Sequence, residues 1–188
     1  VRTMPKKDVD KKKVRISAIP PLDSSIKQID DVFIVITEAY CPNGHNLIAE
    51  DNEDFDGYAG IRVLLKGATN EGEVFISPFH GDATKKGEQG WKTGEKLAFF
   101  CPVCGVALPT FARCHCAFED GQEGELVKLY TSKDLSDSHM LALCNVWGCR
   151  RSRTIDNWNI ISEYLDGSIT ESSLKNRKGP GKIDIFSL

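Results

Sequence analysis

Eight residues that can bind a metal ion occur as four short pairs, and this pattern constrains the fold more than any other feature. The pairs use all seven cysteines and one of the four histidines in this chain of 188 residues. They are Cys41 with His45, Cys101 with Cys104, Cys114 with Cys116, and Cys144 with Cys149. A structural zinc ion takes four ligands from Cys and His, so eight ligands fill two sites with none left over. The pattern therefore predicts two structural Zn²⁺ ions.

The most specific of the four pairs is Cys101-Pro102-Val103-Cys104-Gly105. Two thiolates separated by two residues bind one metal through a tight turn, in which Pro102 fixes φ and Gly105 permits a left-handed conformation. This segment resembles the metal-binding knuckle of zinc-ribbon and rubredoxin-like proteins. The resemblance covers these five residues and the strand before them, and it implies a structural metal ion.

The segment Cys41-Pro42-Asn43-Gly44-His45 is similar to a second knuckle, with His in place of Cys and one extra residue between the ligands. We group this pair with Cys101 and Cys104 as site one. Site two then consists of the remaining four cysteines, Cys114, Cys116, Cys144 and Cys149. A crossed arrangement of the pairs, as in interleaved zinc folds, stays open from sequence alone.

Two other chemistries fit some of these cysteines. Cys101 and Cys104 could form a redox dithiol, but that motif usually opens a helix. The segment 106–109, Val-Ala-Leu-Pro, leaves no room for a helix at this point. An iron–sulfur cluster on the four thiolates of site two is an alternative that we rank below zinc.

The other three histidines are interpreted as non-ligands. His115 alternates with Cys114 and Cys116 in a segment predicted as a strand, so it points away from them. His80 lies beside a turn and His139 lies in a polar stretch, where a solvated or hydrogen-bonded imidazole is the default expectation.

Composition favours an intracellular binding protein over a membrane or a uniformly basic one. The net charge is −3, and 40% of the residues are hydrophobic, which is enough for a buried core. No apolar run reaches the roughly 18 residues of a bilayer span, and no signal peptide is recognisable. Clustered cysteines without a secretion signal favour a reducing compartment, so we predict a cytoplasmic protein without membrane contact.

The chain is expected to be mainly β, as a small α+β, zinc-ribbon-like domain with one late helix. Short β-rich runs precede each ligand pair, and apolar spacing over 155–165 predicts the helix. We divide the chain into a basic mobile arm (1–20), a β-rich zinc-binding domain (21–170) and a polar tail (171–188). Two zinc subdomains, 30–110 and 111–170, are the alternative division of the central part.

No motif favours catalysis, because neither zinc site would keep an open position and no phosphate-binding loop or zinc-protease motif occurs. We therefore predict a non-catalytic protein-binding or accessory module. The alternative is a nucleic-acid-binding protein that uses the basic cluster Arg150, Arg151 and Arg153, with Trp147 and Trp158 stacking on bases. The sequence does not identify the partner or the oligomeric state.

Overall fold

The computed structural model describes residues 14–16, 26–29, 33–87, 90–116, 118, 123–157 and 159–164. These residues form antiparallel β-sheets, which confirms the prediction of a β-rich chain. The predicted arm and tail lie mostly or entirely outside this part of the chain. Within the described residues, no helix has the length and apolar character needed to cross a membrane.

The largest sheet has six strands, in the order β1-β14-β13-β12-β11-β10. Its strands are β1 (Val14–Ile16), β10 (Thr110–Cys114), β11 (Gly124–Tyr130), β12 (His139–Cys144), β13 (Ser152–Asp156) and β14 (Asn159–Tyr164). From β10 to β14 each strand pairs with the next one along the chain, so this part is a meander of hairpins.

A four-stranded sheet has the order β8-β7-β6-β9. Its strands are β6 (Ile61–Lys66), β7 (Glu71–Ile76), β8 (Lys85–Gly87) and β9 (Ala98–Phe100). Buried and partly exposed residues alternate along β6, as expected of a strand with one face in the core. Two small hairpins complete the described strands: β2 (Ile26–Ile29) with β3 (Phe33–Ile36), and β4 (Asp54–Phe55) with β5 (Tyr58–Ala59).

The two larger sheets share one hydrophobic core. Val63 and Leu65 of β6 belong to the same buried cluster as Val127 and Leu129 of β11 and Leu141 of β12. All five side chains are at most 3% exposed. Because the cluster draws on both sheets, the strand ends that carry the cysteines are anchored to a common framework.

The described residues of 155–164, where we predicted a helix, form strands instead. Asn157 has a φ of 49°, and its left-handed conformation turns the chain between β13 and β14. A register shift between Thr154 and Ile155 lets Ile155 and Ile161 both reach buried positions. The apolar spacing that resembles a helical period therefore comes from a hairpin with a β-bulge.

Candidate metal centres

The structure brings the eight predicted ligands together in two groups of four. In each group, one sulfur or ring nitrogen per residue lies within 4.8 Å of the other three. The first group is Cys41, His45, Cys101 and Cys104, and the second is Cys114, Cys116, Cys144 and Cys149. This is the uncrossed grouping of the sequence analysis, and each group can hold a metal ion.

The first pair of site one lies in a tight turn after β3. Tyr40 and Asn46 form a β-bridge across the base of the turn, and the N–H of Gly44 donates to the carbonyl of Cys41 at 2.9 Å. Gly44 has a φ of 81°, a conformation that residues with a side chain rarely adopt. The glycine therefore lets the chain reverse so that His45 faces Cys41.

The second pair lies in a similar turn after β9. Phe100 and Ala107 form the bridge at its base, and the N–H of Gly105 donates to the carbonyl of Cys101 at 2.9 Å. Gly105 has a φ of 70°, although a side chain there would meet no atom within 4 Å. Backbone conformation, and not lack of space, requires glycine at this position.

The spacing inside site one fits a tetrahedral ion. The Sγ of Cys41 lies 3.5 Å from Nδ1 of His45. A sulfur bound at about 2.3 Å and a nitrogen bound at about 2.05 Å on one tetrahedron lie about 3.6 Å apart. The Nδ2 of Asn43 donates to the Sγ of Cys104 at 3.5 Å and so connects the two turns.

The two cysteines of the Cys101–Cys104 turn differ in their thiol pKa. Burial raises the pKa of Cys101 to about 11. A hydrogen bond from the backbone N–H of Val106 lowers the pKa of Cys104, which is exposed, to about 6. The outer sulfur is therefore a thiolate at neutral pH, and a metal ion would have to displace the proton from the inner one.

Site two forms where β10 and β12 end on either side of β11. Both strands run antiparallel to β11, so their carboxyl ends lie at the same end of the sheet, next to the start of β11. Gly124 begins β11 between them and pairs with Cys114. A Cβ on Gly124 would lie 2.8 Å from the Sγ of Cys144 and 2.9 Å from that of Cys116. The missing side chain thus provides the space in which the sulfurs converge.

Sulfur spacing in site two also fits one tetrahedral ion. The Sγ atoms of Cys114 and Cys149 are 3.9 Å apart, and those of Cys116 and Cys144 are 3.8 Å apart. Two thiolates bound at about 2.3 Å on a tetrahedron lie about 3.8 Å apart. A disulfide would bring the sulfurs to about 2.05 Å, so neither pair is bonded.

The four buried thiols of site two cannot all ionise by themselves. Hydrogen bonds from Cys114 and Cys144 lower the pKa of Cys149 to about 3. Hydrogen bonding with Cys114 and Cys149 raises the pKa of Cys144 far above its usual value. One thiolate is thus stabilised by protons held on its neighbours, and a bound cation would supply the charge needed to ionise the others.

The remaining histidines lie outside the two metal groups. His115 is exposed and does not belong to site two. His139 donates from Nδ1 to the carboxylate of Asp156, which is fully buried. His80 is buried against β13, a position that its turn-like sequence context did not predict. Neither the burial of Asp156 nor that of His80 has an obvious sequence signal.

The arginines of the predicted basic cluster point to different neighbours. Nε of Arg153 donates to the carboxylate of Glu163 at 2.9 Å, in a largely buried ion pair. Nη2 of Arg150 donates to the carbonyl of Gly81 at 3.4 Å. Trp147 packs against Trp91 with ring centroids 5.1 Å apart, while Trp158 lies outside the described residues. Arg150 and Arg153 are therefore bound to different parts of the protein.

Comparisons with protein-family models, with curated proteins and with solved structures give no significant match to this chain. The resemblance to zinc-ribbon and rubredoxin-like knuckles accordingly stays a local one, carried by the two turns of site one.

Proposed function

We propose that this chain is a zinc-binding protein whose two ions are structural, and that it serves as a non-catalytic binding or accessory module for another protein. The observation that carries the first part is the convergence of two groups of four ligand atoms, each within 4.8 Å. A reducing compartment such as the cytoplasm suits this role, because every ligand sulfur must stay unoxidised.

Single Zn²⁺ ions suit the two groups better than clusters do. The sulfur–sulfur distances of 3.8 and 3.9 Å in site two match the edge of a tetrahedron around one ion. An iron–sulfur cluster places several atoms between its thiolates, so its ligands would have to lie further apart. Three cysteines with one histidine, and four cysteines, are both established ligand sets of structural zinc.

A structural role for the ions follows from the completeness of the ligand sets. A catalytic zinc keeps one position for water or substrate, whereas each group here supplies four protein ligands. The proposed binding role draws on the turn of site one, where Val103 is 60% exposed next to the exposed Cys104. A rigid turn that presents an apolar side chain is a suitable contact for a protein partner.

Metal analysis of protein purified without added metal tests the zinc proposal. We expect about two zinc ions per chain by mass spectrometry with inductively coupled plasma. Cys144→Ala should remove about one of them, while the matched variant His115→Ala should keep both. A preparation that contains iron with visible absorption, or less than one metal ion per chain, would overturn the proposal.

A separate experiment tests the binding role. The zinc-loaded protein, Val103→Asp and Thr110→Asp would be immobilised and exposed to nuclease-treated extract. Thr110 is exposed at the start of β10, outside the turn of site one, so the variant Thr110→Asp controls for the effect of the added charge. We expect one defined protein to be retained by the wild type and Thr110→Asp and lost by Val103→Asp. Retention that instead disappears with nuclease would favour the nucleic-acid alternative, for which the geometry of the arginines gives no support.

A further inference from the structure

A lysine of the four-stranded sheet lies beside the metal ligands at the end of the six-stranded sheet. Lys85 belongs to β8, its side chain is partly buried, and its Nζ lies 5.0 Å from the ring centroid of Trp147. Trp147 belongs to the loop that joins the last two ligands of site two, Cys144 and Cys149. Lys85 also lines the same small cavity as these two cysteines. The ammonium group is therefore held close to one side of site two.

The next residue of β8 offers a natural comparison. Lys86 follows Lys85 directly, so its side chain leaves the opposite face of the strand. Its Nζ lies 4.6 Å from the ring centroid of Phe55, a contact of the same kind as that of Lys85 with Trp147. Two adjacent lysines of one strand thus both lie over aromatic rings, and Lys85 is the one whose ring belongs to the loop of site two.

Several charges surround the ammonium group of Lys85. Burial lowers the pKa of Lys85 below its usual value, and the negative charges of Cys149 and Cys144 oppose this shift. Asp82 acts in the same direction as the two cysteines, and the positive charge of Arg150 acts in the opposite one. The cysteines of site two thus stabilise the ammonium group, and the attraction is mutual, so the ammonium group also stabilises their thiolates.

An ion bound at site two would leave a buried negative charge. Four thiolates of charge −1 and one Zn²⁺ of charge +2 give this site a net charge of −2. Site one, with three thiolates and a neutral histidine, would carry −1, and its Cys104 is exposed. All four cysteines of site two are buried, and a buried net charge is unfavourable unless an opposite charge lies nearby. Site two is therefore the centre that an adjacent cation would stabilise more.

We propose that Lys85 is the charge partner of site two, a positioning residue that strengthens the binding of a divalent ion by the four buried thiolates. The inference rests on the proposed zinc-binding function and adds to it a residue that is not itself a ligand. The ammonium group offsets part of the negative charge from outside the ligand set. Because Lys85 belongs to the other large sheet, an ion at site two also stabilises the packing of β8 against the loop between Cys144 and Cys149.

The zinc affinity of lysine variants tests this proposal. Lys85→Met keeps most of the apolar stem and removes the charge, Lys85→Arg keeps the charge, and Lys86→Met is the matched control. Each zinc-loaded protein would be titrated with a chromophoric chelator, and alkylation with mass spectrometry would show which cysteines lose their ion. We expect Lys85→Met to bind the ion of site two about 10- to 100-fold more weakly, as is usual when a residue that supports metal ligands is changed. Lys85→Arg should recover most of the affinity, and Lys86→Met should leave it unchanged.

Three results would overturn the role of Lys85. They are wild-type affinity of site two in Lys85→Met, a loss in Lys85→Arg as large as that in Lys85→Met, and an equal loss in Lys86→Met. If Lys85→Met does not fold, Lys85→Gln takes its place, because it also removes the charge. Fewer than two zinc ions in the wild type would refute the proposed zinc sites themselves. Two zinc ions in every variant, held with unchanged affinity, would refute the role of Lys85 alone.

Discussion

Gly124 lies between two sulfurs of site two, so a single methyl group at this position tests the geometry of the whole centre. In Gly124→Ala the new Cβ would lie 2.8 Å from the Sγ of Cys144 and 2.9 Å from that of Cys116. It would also lie 3.0 Å from a methyl group of Val146. The substitution adds no charge and no polar atom, and its main effect is to occupy space that the ligands use.

The size of the effect follows from these distances. Ordinary contact begins near 3.4 Å, so the two sulfurs would have to move away by about 0.6 and 0.5 Å. Metal–ligand bonds tolerate displacements of only about 0.2 Å. Overpacking of a rigid site costs about 1–3 kcal/mol. If all of this cost falls on the metal-loaded state, zinc affinity drops by about 5- to 150-fold.

Competition with a chromophoric chelator measures this affinity, and metal analysis gives the zinc content. Gly124→Ala should release one zinc ion per chain at a lower chelator concentration than the wild type, with the second ion unaffected. Gly90→Ala is the matched control, because Gly90 is exposed and its added Cβ would meet only the flexible amide of Asn70. If Gly124→Ala keeps both ions with wild-type affinity and melting temperature, the sulfurs do not converge around a metal as described.

Three further predictions concern single side chains. His115→Ala should leave the zinc content at the wild-type value, whereas Cys116→Ala should lose about one zinc ion per chain. Metal analysis measures both values, and a loss of zinc from His115→Ala would identify His115 as a ligand. Site one should lose its zinc before site two when a mild oxidant is added, because Cys104 is exposed while all four cysteines of site two are buried. Alkylation followed by mass spectrometry shows which cysteines change first. An earlier change in the labelling of site two would contradict this prediction. His80 should make the protein less stable in acid, because the unfolded chain takes up its proton below pH 6.5 and the folded protein does so only near its pKa of about 3. Between pH 7.5 and 5.5 this uptake removes about 1.4 kcal/mol from the free energy of unfolding, and denaturant titrations should show that His80→Gln lacks this part of the pH dependence.

The grouping of the metal ligands could be predicted because each pair is local in sequence. Two ligands separated by one to four residues must lie on the same turn or strand end, so only the combination of the pairs was uncertain. The space between the sulfurs could not be predicted. Gly124 is one of 16 glycines, and its importance depends on strand pairing that places it opposite Cys114.

The fold shows the same division between local and long-range information. The β-rich runs before Cys41 and Cys101 correctly indicated β3 and β9, because a strand needs only its own local pattern and bounding turns. The segment from Ile155 was misleading, because helical and strand periods cannot be separated over a few apolar positions. The neighbouring Asp156-Asn157 is typical of a turn and would have argued for a hairpin. His80 became buried only through packing of its turn against β13, which no local pattern encodes.

The ligands of the two metal centres belong to different buried clusters. This difference determines how much a bound ion would contribute to the stability of each site. In site one, Cys41 and Cys101 are members of the large cluster that joins the two sheets, so that cluster has many other contacts to hold it together without the ion. In site two, the four cysteines themselves make up most of a separate small cluster, with Leu126 as one of its few other members. Without an ion, that cluster would consist mainly of thiols that cannot all ionise. The zinc ion proposed for site two would therefore contribute more to the local fold, while site one, which includes the exposed Cys104, is expected to be emptied at the lower structural cost.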